Sequence, residues 1–118
     1  MRRSAWVLAD LLCLVLFVAI GRSTHDHGVA PAGMISTLWP FAVGLAMGWF
    51  LIIRRARSGV SLSDATIIVV NTVAIGMILR VLFGQGTALA FVIVALAFTS
   101  LSFGGWRIVL HLARRKHA

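Results

Sequence analysis

Residues 5–21 of the chain read AWVLADLLCLVLFVAIG, a run that is apolar except for Asp10. Similar apolar runs cover residues 35–53, 65–83 and 88–105, and most of the charged residues lie between them. A helix crosses the hydrocarbon core of a bilayer with about 20 predominantly apolar residues. The four runs therefore predict four membrane-spanning helices.

The composition agrees with a membrane protein. The chain has 118 residues, of which 60% are hydrophobic and 12% charged, whereas soluble domains average about 25% charged residues. Four spans leave no room for a soluble catalytic domain. The apolar runs lack the alternation of barrel strands, so an all-α fold is expected. We predict a single domain, residues 1–118, folded as a compact up-down bundle of four transmembrane helices.

Capping, turn and charged residues indicate helix bounds at residues 4–21, 37–54, 64–83 and 87–106. An interfacial extension of the last helix is expected over residues 107–115. The polar stretch before position 35 is expected to be loop. Pro40 is expected in the first turn of the second helix, where its missing N–H costs little. Ser61 and Asp64 have the spacing of a capping box that opens the third helix.

The distribution of basic residues predicts the orientation. The chain has 11 Lys and Arg residues against 3 acidic ones, a formal net charge of +8. Only Arg22, in the first gap, and Arg80, close to the third gap, lie toward the opposite side. The other nine are Arg2, Arg3, Arg54, Arg55, Arg57, Arg107, Arg114, Arg115 and Lys116. The positive-inside rule then places both termini in the cytoplasm, with anionic lipid head groups of the plasma membrane as partners of the cytoplasmic face. Nucleic acid is not expected as a partner.

The first run also has features of a secretory signal peptide, because two arginines precede it and small residues follow near Gly21. Asp10 and the three later spans favour its retention as a helix.

Asp10 is the main candidate functional residue. A carboxylate within a span costs about 2.5–3.5 kcal/mol unless it faces a partner or water. On the fourth helix, Ser100, Gly104, Arg107 and His111 form one stripe, and Arg107 lies at a depth similar to that of Asp10. We favour a structural Asp10–Arg107 ion pair, and the alternative is a protonatable carboxylate in a transport pathway. Ser100 and Gly104 are expected to be helix-packing positions.

Arg22, His25 and Arg80 form a second candidate group, the outer polar cluster. They are predicted to form either a cationic pocket for a phosphate, carboxylate or lipid head group, or a solvated rim. The stretch His25-Asp26-His27 offers too few ligands for a zinc site, which needs about four. No metal and no cofactor are expected.

Two further features concern helix packing. Gly44 and Gly48 form a GxxxG motif that allows a close approach of two helices, either within the chain or with a partner chain. Asn71 is expected to form a hydrogen bond across the bundle. The sequence therefore does not decide whether the chain forms a homo-oligomer or binds a membrane partner subunit.

The combination of motifs is more specific than any single one. The residues concerned are Asp10, Phe17, Gly21-Arg22, His25, Trp39-Pro40-Phe41, Gly44, Gly48-Trp49, Gly76-Met77, Arg80, Phe91 and Gly105-Trp106-Arg107. Together they resemble a bacterial and archaeal membrane family known as domain of unknown function 3054, over nearly the whole chain. The resemblance implies a short protein with four spans. It implies no catalytic residue, because the family has no established activity.

The sequence thus favours a small non-enzymatic integral membrane protein, either a bundle on its own or a subunit of a membrane assembly, and leaves enzymatic activity open. No phosphate-binding loop, nucleophile elbow or metalloprotease motif is present. One alternative is an oligomeric proton-coupled transporter that uses Asp10. The length of the chain and the acidic residue in its first helix are similar to those of small multidrug resistance exporters. Many of those exporters insert in both orientations, and the bias of basic residues in this chain argues against such a dual topology. The other alternative is a lipid-acting enzyme that uses Arg22, His25 and Arg80.

Overall fold

The computed structural model of the protein describes residues 2–24 and 30–116. These residues form four α-helices, α1 (Arg2–Thr24), α2 (Pro31–Arg54), α3 (Leu62–Leu82) and α4 (Leu89–Lys116). Each helix is long and apolar enough to cross a bilayer. The predicted all-α fold with four membrane-spanning helices is therefore confirmed.

The helices form a ring in which each packs against its neighbours in sequence and α1 packs against α4. The contact between α2 and α3 is the most extensive, and that between α1 and α4 the least. Asp10, early in α1, meets Arg107, late in α4, while Arg22 at the other end of α1 meets Thr37 near the start of α2. Consecutive helices therefore run antiparallel. We call the end near Asp10, which carries both termini, the basic end.

The GxxxG motif packs α2 against α3 of the same chain. A Cβ atom added at Gly44 would lie 2.6 Å from the carbonyl oxygen of Thr72, and one at Gly48 would lie 3.0 Å from the Cα of Ile68. Glycine thus permits backbone contact between the two helices. The alternative that this face binds a partner chain is wrong, because α3 already occupies it.

An aromatic cluster fills the bundle toward the end opposite the basic end. The ring of Phe17 contacts those of Phe41, Phe91 and Phe98, with centroids 5.5–5.9 Å apart. Edge-to-face and offset rings at such distances stabilise a core beyond their buried area. A Cβ at Gly76 would lie 2.5 Å from the ring of Phe41, so this glycine admits the cluster beside α3.

The start of α2 differs from the prediction. The helix begins at Pro31 rather than at position 37, and proline is well suited to the first position of a helix. Pro40 consequently lies in the interior of α2 and is buried, not in its first turn. Proline lacks the N–H that would bond to the carbonyl four residues earlier. The side chain of Gln85 donates a hydrogen bond to that carbonyl, which belongs to Ser36, at 3.3 Å.

The other ends follow local signals. Ser61 caps α3 by accepting a hydrogen bond of 3.0 Å from the backbone N–H of Asp64, as the capping motif predicted. The carboxylate of Asp64 does not return to the N–H of Ser61 but binds residues of the preceding loop. The last helix continues unbroken to Lys116.

Candidate functional site

The two charged residues that the sequence placed at similar depths are in contact. Nη1 of Arg107 donates to Oδ1 of Asp10 at 2.9 Å, and Nη2 donates to Oδ2 at 2.8 Å. This two-pronged geometry is the strongest arrangement of a guanidinium and a carboxylate. Both side chains have an exposed fraction of 0%. Protein atoms alone therefore bury the ion pair completely, without any contribution from lipid.

Two tryptophans complete the carboxylate's hydrogen bonds. Nε1 of Trp106 donates to Oδ1 of Asp10 at 2.8 Å, and Nε1 of Trp49 donates to Oδ2 at 2.9 Å. Each oxygen of Asp10 thus accepts one bond from an arginine and one from an indole. Three helices contribute to the site, because α1 supplies the acid, α2 one indole, and α4 the other indole and the arginine.

Arg107 also binds backbone carbonyls. Its Nε donates to the carbonyl of Gly59 at 2.8 Å, and its Nη1 donates to that of Phe103 at 3.0 Å. The guanidinium carbon lies 4.2 Å from the centroid of the Trp106 ring, within the range of a cation–π contact. The bond to Gly59 joins the charge pair to the loop between α2 and α3.

That loop folds back over the basic end of the bundle. Gly59 has φ +85°, and an added Cβ would collide with the ring of Trp49. Its N–H donates to Oδ2 of Asp64 at 3.0 Å, and Oδ1 of the same carboxylate accepts from Nε of Arg57. Nε2 of His111 lies 2.9 Å from the carbonyl oxygen of Val60. Polar contacts from α3 and α4 therefore fix the loop against Trp49.

The geometry of Asp10 indicates a structural role for its charge. A buried ion pair repays its desolvation only when the remaining donors and acceptors are also satisfied, and within the described residues no buried side-chain nitrogen or oxygen lacks a hydrogen-bond partner. Removing one partner of a buried pair costs about 3–5 kcal/mol, because the other charge stays buried alone. Protonation of Asp10 would likewise leave the charge of Arg107 buried without a counterion.

Arg22 and Arg80, which were predicted in the outer polar cluster, line one cavity of about 720 Å³ at the end opposite the basic end. Nη1 of Arg22 donates to Oγ1 of Thr37 at 2.9 Å. The guanidinium of Arg22 packs on Gly33, where a Cβ would collide with it. The guanidinium of Arg22 therefore lies against the first turns of α2.

Arg80 is held by the turn that follows α3. Its Nε donates to the carbonyl of Gly86 at 2.9 Å, and its Nη1 donates to Oε1 of Gln85 at 3.1 Å. The guanidinium carbon lies 4.6 Å from the centroid of the Phe91 ring. Within the described residues, no carboxylate lies within ion-pair distance of Arg80.

The remaining predicted residues have other positions. His25 lies outside the described residues, as does the rest of the His25-Asp26-His27 motif. Ser100 is exposed, and no atom of a neighbouring helix lies within 4 Å of a Cβ added at Gly104. Their prediction as helix-packing positions is wrong, because no neighbouring helix packs closely against Gly104 and Ser100 is exposed. Asn71 donates to the carbonyl of Ile67 in its own helix, at 2.8 Å, instead of across the bundle.

Within residues 2–24 and 30–116, no group of three or more His, Cys, Asp or Glu side chains is close enough to hold a metal ion. Cys13 is a free cysteine, partly buried in α1.

Comparison with known proteins places the chain in one family. Residues 7–110 match the family described as a protein of unknown function, DUF3054. The chain belongs to this family. No curated protein and no solved structure matches it. The matched range of this DUF3054 protein includes both Asp10 and Arg107, and both arginines of the cavity.

Sequence reasoning missed several residues of both sites. The prediction from sequence includes neither Trp49 nor Trp106 as a donor to Asp10. A signal was available, since an indole N–H within an apolar span needs an acceptor and a carboxylate has room for several donors. Gly59 gave no comparable signal, because its role depends on how the loop folds over α2. Gln85 was likewise indistinguishable from an ordinary turn residue.

Proposed function

We propose that this DUF3054 protein is a non-enzymatic multi-pass protein of the plasma membrane, which acts by binding and not by catalysis or proton-coupled transport. It acts as a single bundle or as a subunit of a homo-oligomer or a larger membrane assembly. The observation that carries the proposal is the environment of Asp10. Its carboxylate is buried and accepts four hydrogen bonds, two from Arg107 and two from indoles.

A proton carrier needs a carboxylate that exchanges protons with water on both sides of the membrane. Asp10 is enclosed by protein, and its two oxygens are bound by the guanidinium of Arg107. Binding a proton would leave that charge buried without a counterion, at a cost of about 3–5 kcal/mol. Asp10 is therefore better suited to fixing α1 against α4 than to moving protons.

The arginine cavity supports binding over catalysis. Its described lining includes Arg22, Arg80, Ser36 and Thr37, but neither a carboxylate, an imidazole nor a thiol. General acid–base catalysis draws mainly on those groups. His25, which the enzyme hypothesis requires, lies outside the described residues.

We also propose that both termini are cytoplasmic. Nine of the 11 Lys and Arg residues lie at or beyond the basic end, and among them Arg54, Arg55, Arg114 and Arg115 are exposed. These side chains suit contact with the anionic lipid head groups of the cytoplasmic leaflet. A reporter fused after the last residue tests the orientation, since alkaline phosphatase is active only outside the cytoplasm. The fusion is expected to be inactive, and an active fusion would reverse the assignment.

Proton binding to Asp10 is tested directly on purified protein adsorbed, in liposomes, to a solid-supported membrane. A pH jump across the range 5–8 produces a transient current when a carboxylate within the membrane takes up a proton. We expect the same signal from the wild type and from Asp10→Asn, with Asp64→Asn as the matched carboxylate control. A current in the wild type that disappears only in Asp10→Asn would overturn the proposal in favour of proton-coupled transport.

A further inference from the structure

Asn71 places an amide group near the middle of a membrane-spanning helix, since it is the tenth of the 21 residues of α3. An amide side chain has two N–H donors and an oxygen that can accept two hydrogen bonds. One N–H of Asn71 donates to the carbonyl of Ile67 at 2.8 Å. Within residues 2–24 and 30–116 the amide makes no other hydrogen bond. Its oxygen Oδ1 and its second N–H therefore need partners from elsewhere.

The oxygen of Asn71 cannot find a donor in its own helix. In the interior of an α-helix every backbone N–H already bonds to a carbonyl four residues earlier. Thr72 and Thr99 donate their hydroxyl to such a carbonyl, but an acceptor has no equivalent solution. No buried side-chain oxygen in the described residues lacks a partner, so Oδ1 of Asn71 lies at the outer surface of the bundle. Hydrocarbon offers it no donor, and an unmatched amide is costly there.

Asn71 belongs to an otherwise apolar stripe on α3, which we call the outer stripe. The outer stripe consists of Ile67, Asn71, Ala74 and Ile78. Its members follow one another at spacings of four, three and four residues, the pattern of helices that pack along a common seam. Ala74 is exposed, and 58% of the surface of Ile78 is exposed as well. The small side chain of Ala74, one turn from Asn71, lets a second helix come close enough for the short amide to reach it.

The outer stripe borders an apolar groove between α3 and α4. The groove has a volume of about 560 Å³, with Ala74 and Ile78 on its α3 side and Val92 and Leu96 on its α4 side. Its described lining contains no charged residue. A hydrocarbon tail and the apolar face of a helix fill such a groove equally well, so the groove alone does not identify its occupant. The amide of Asn71 does, because a lipid tail can neither donate nor accept a hydrogen bond.

A second copy of the chain carries the complementary group at the same depth. The amide has partial positive charge on its N–H groups and partial negative charge on Oδ1, so two amides related by a two-fold axis match each other. The bias of basic residues toward one end inserts every copy in the same orientation. A two-fold axis along the membrane normal then keeps equal residues at equal depth. In this symmetry, a residue at the bilayer centre faces the same residue of the other copy.

We infer that two copies of the chain form a parallel dimer through the outer stripe, with the two Asn71 amides hydrogen-bonded to each other. One N–H of each amide keeps its bond to Ile67, and the other donates to Oδ1 of the second copy. A single asparagine in a seam between helices fixes their register and number. The inference rests on the proposed function for the common orientation of the copies, and it selects the homo-oligomer among the forms proposed there. It does not depend on Asp10, whose role the proton currents test separately.

The association is measured with the full-length protein in liposomes, by energy transfer between donor- and acceptor-labelled copies over a series of protein-to-lipid ratios. We expect a dimer of the wild type. Asn71→Leu is expected to raise the dissociation constant by about tenfold or more, because both hydrogen bonds between the helices are lost. Ser100→Leu removes an exposed hydroxyl from α4 and is the matched control, expected to associate normally. A wild type that stays monomeric at every ratio, or an Asn71→Leu variant that associates as tightly, would overturn the proposal.

Cysteine cross-linking in the membranes of expressing cells locates the interface, and it keeps the proposal testable if Asn71→Leu folds poorly. The single native cysteine is first removed as Cys13→Ala. In this background, Ala74→Cys is expected to give a disulfide-linked dimer under mild oxidation with copper phenanthroline. Leu101→Cys, on α4 with 76% of the leucine surface exposed, is the control and is expected to stay monomeric. Cross-linking at position 101 alone would place the interface on α4, and equal cross-linking at both positions would reflect random collision. Either result would overturn the proposal.

Discussion

The ring of Trp49 lies directly against the backbone of Gly59, so closely that a methyl group on this glycine would collide with the indole. The contact is central to the basic end, because both residues also bind the ion pair. Trp49 donates to Asp10, and the carbonyl of Gly59 accepts from Arg107. The loop between α2 and α3 is thus held to the Asp10–Arg107 pair, which joins α1 to α4.

The first prediction concerns Gly59→Ala. Gly59 has φ +85°, a backbone conformation that costs other residues about 1–2 kcal/mol, and the collision with Trp49 adds about 1–3 kcal/mol of overpacking. Gly84 is a matched control, because its φ is +71° but an added Cβ would have no atom within 4 Å. Thermal unfolding in detergent is expected to show a clearly larger loss for Gly59→Ala than for Gly84→Ala. Equal losses would mean that backbone conformation alone requires glycine at position 59.

The second prediction separates two glycines that look alike in the sequence. A Cβ at Gly44 would lie 2.6 Å from the backbone oxygen of Thr72, whereas one at Gly104 would have nothing within 4 Å. Gly44→Ala is expected to lower the free energy of unfolding by about 1–3 kcal/mol, because α2 and α3 must move apart. Gly104→Ala is expected to be neutral or to stabilise the protein by about 0.5–1 kcal/mol, since alanine favours a helix. The two variants are compared by unfolding in a denaturing detergent.

If Gly104→Ala proved as damaging as Gly44→Ala, the exposed side of α4 would have to be an interface with another copy of the chain. Cross-linking of the wild type in the membrane would then be the next step. Loss of stability at position 44 alone is the result that agrees with the structure.

The third prediction concerns the indole donors. Trp49→Phe removes the N–H that binds Oδ2 of Asp10 and leaves this oxygen with Arg107 alone. A hydrogen bond to a charged group contributes about 1.5–3 kcal/mol, so a drop of this size is expected in the free energy of unfolding. Trp39→Phe is the control, because the recorded contact of Trp39 is an edge-to-face packing with Phe83 at 4.9 Å. A smaller effect at Trp49 than at Trp39 would show that the indole N–H contributes nothing.

The fourth prediction concerns Asp64, whose carboxylate accepts from the N–H of Gly59 at 3.0 Å. Asp64→Ala is expected to release the loop, and hydrogen exchange at the amides of Gly59 and Val60 is expected to become faster. Ser63→Ala is the control, since it removes an exposed hydroxyl that contacts Arg57 and Ser61 and leaves the bond from Gly59 to Asp64 in place. Unchanged exchange in Asp64→Ala would mean that Arg107 and His111 hold the loop without it.

The four spans could be predicted because the apolar runs are long and continuous and the basic residues cluster between them. Helix ends were harder, as Pro31 shows. In the sequence it stands in a polar stretch and resembles a loop residue, yet it also fits the first turn of a helix, and the structure uses it there. Pro40 was then misplaced, because its position in the first turn depended on the wrong start.

Part of the site followed from physical need. A charge in a span requires a partner, and Arg107 was at the right depth to meet Asp10. Which way the rest of that stripe faces could not be deduced, because small residues suit both a packed and an exposed side of a helix. Ser100 and Gly104 were misassigned for that reason. The roles of Gly59 and Gln85 depend on contacts between elements that are distant in sequence, so no local pattern indicated them.

The most direct test of the structural ion pair is a double-mutant cycle on the free energy of unfolding, with Asp10→Asn, Arg107→Gln and both together. We expect each single variant to lose about 3–5 kcal/mol, since each leaves a buried partner alone, and the double variant to lose clearly less than the sum. The pair Asp10→Asn with Arg22→Gln, at opposite ends of α1, is the control and should be additive. Additive losses for Asp10 and Arg107, with Asp10→Asn as stable as the wild type, would contradict the account.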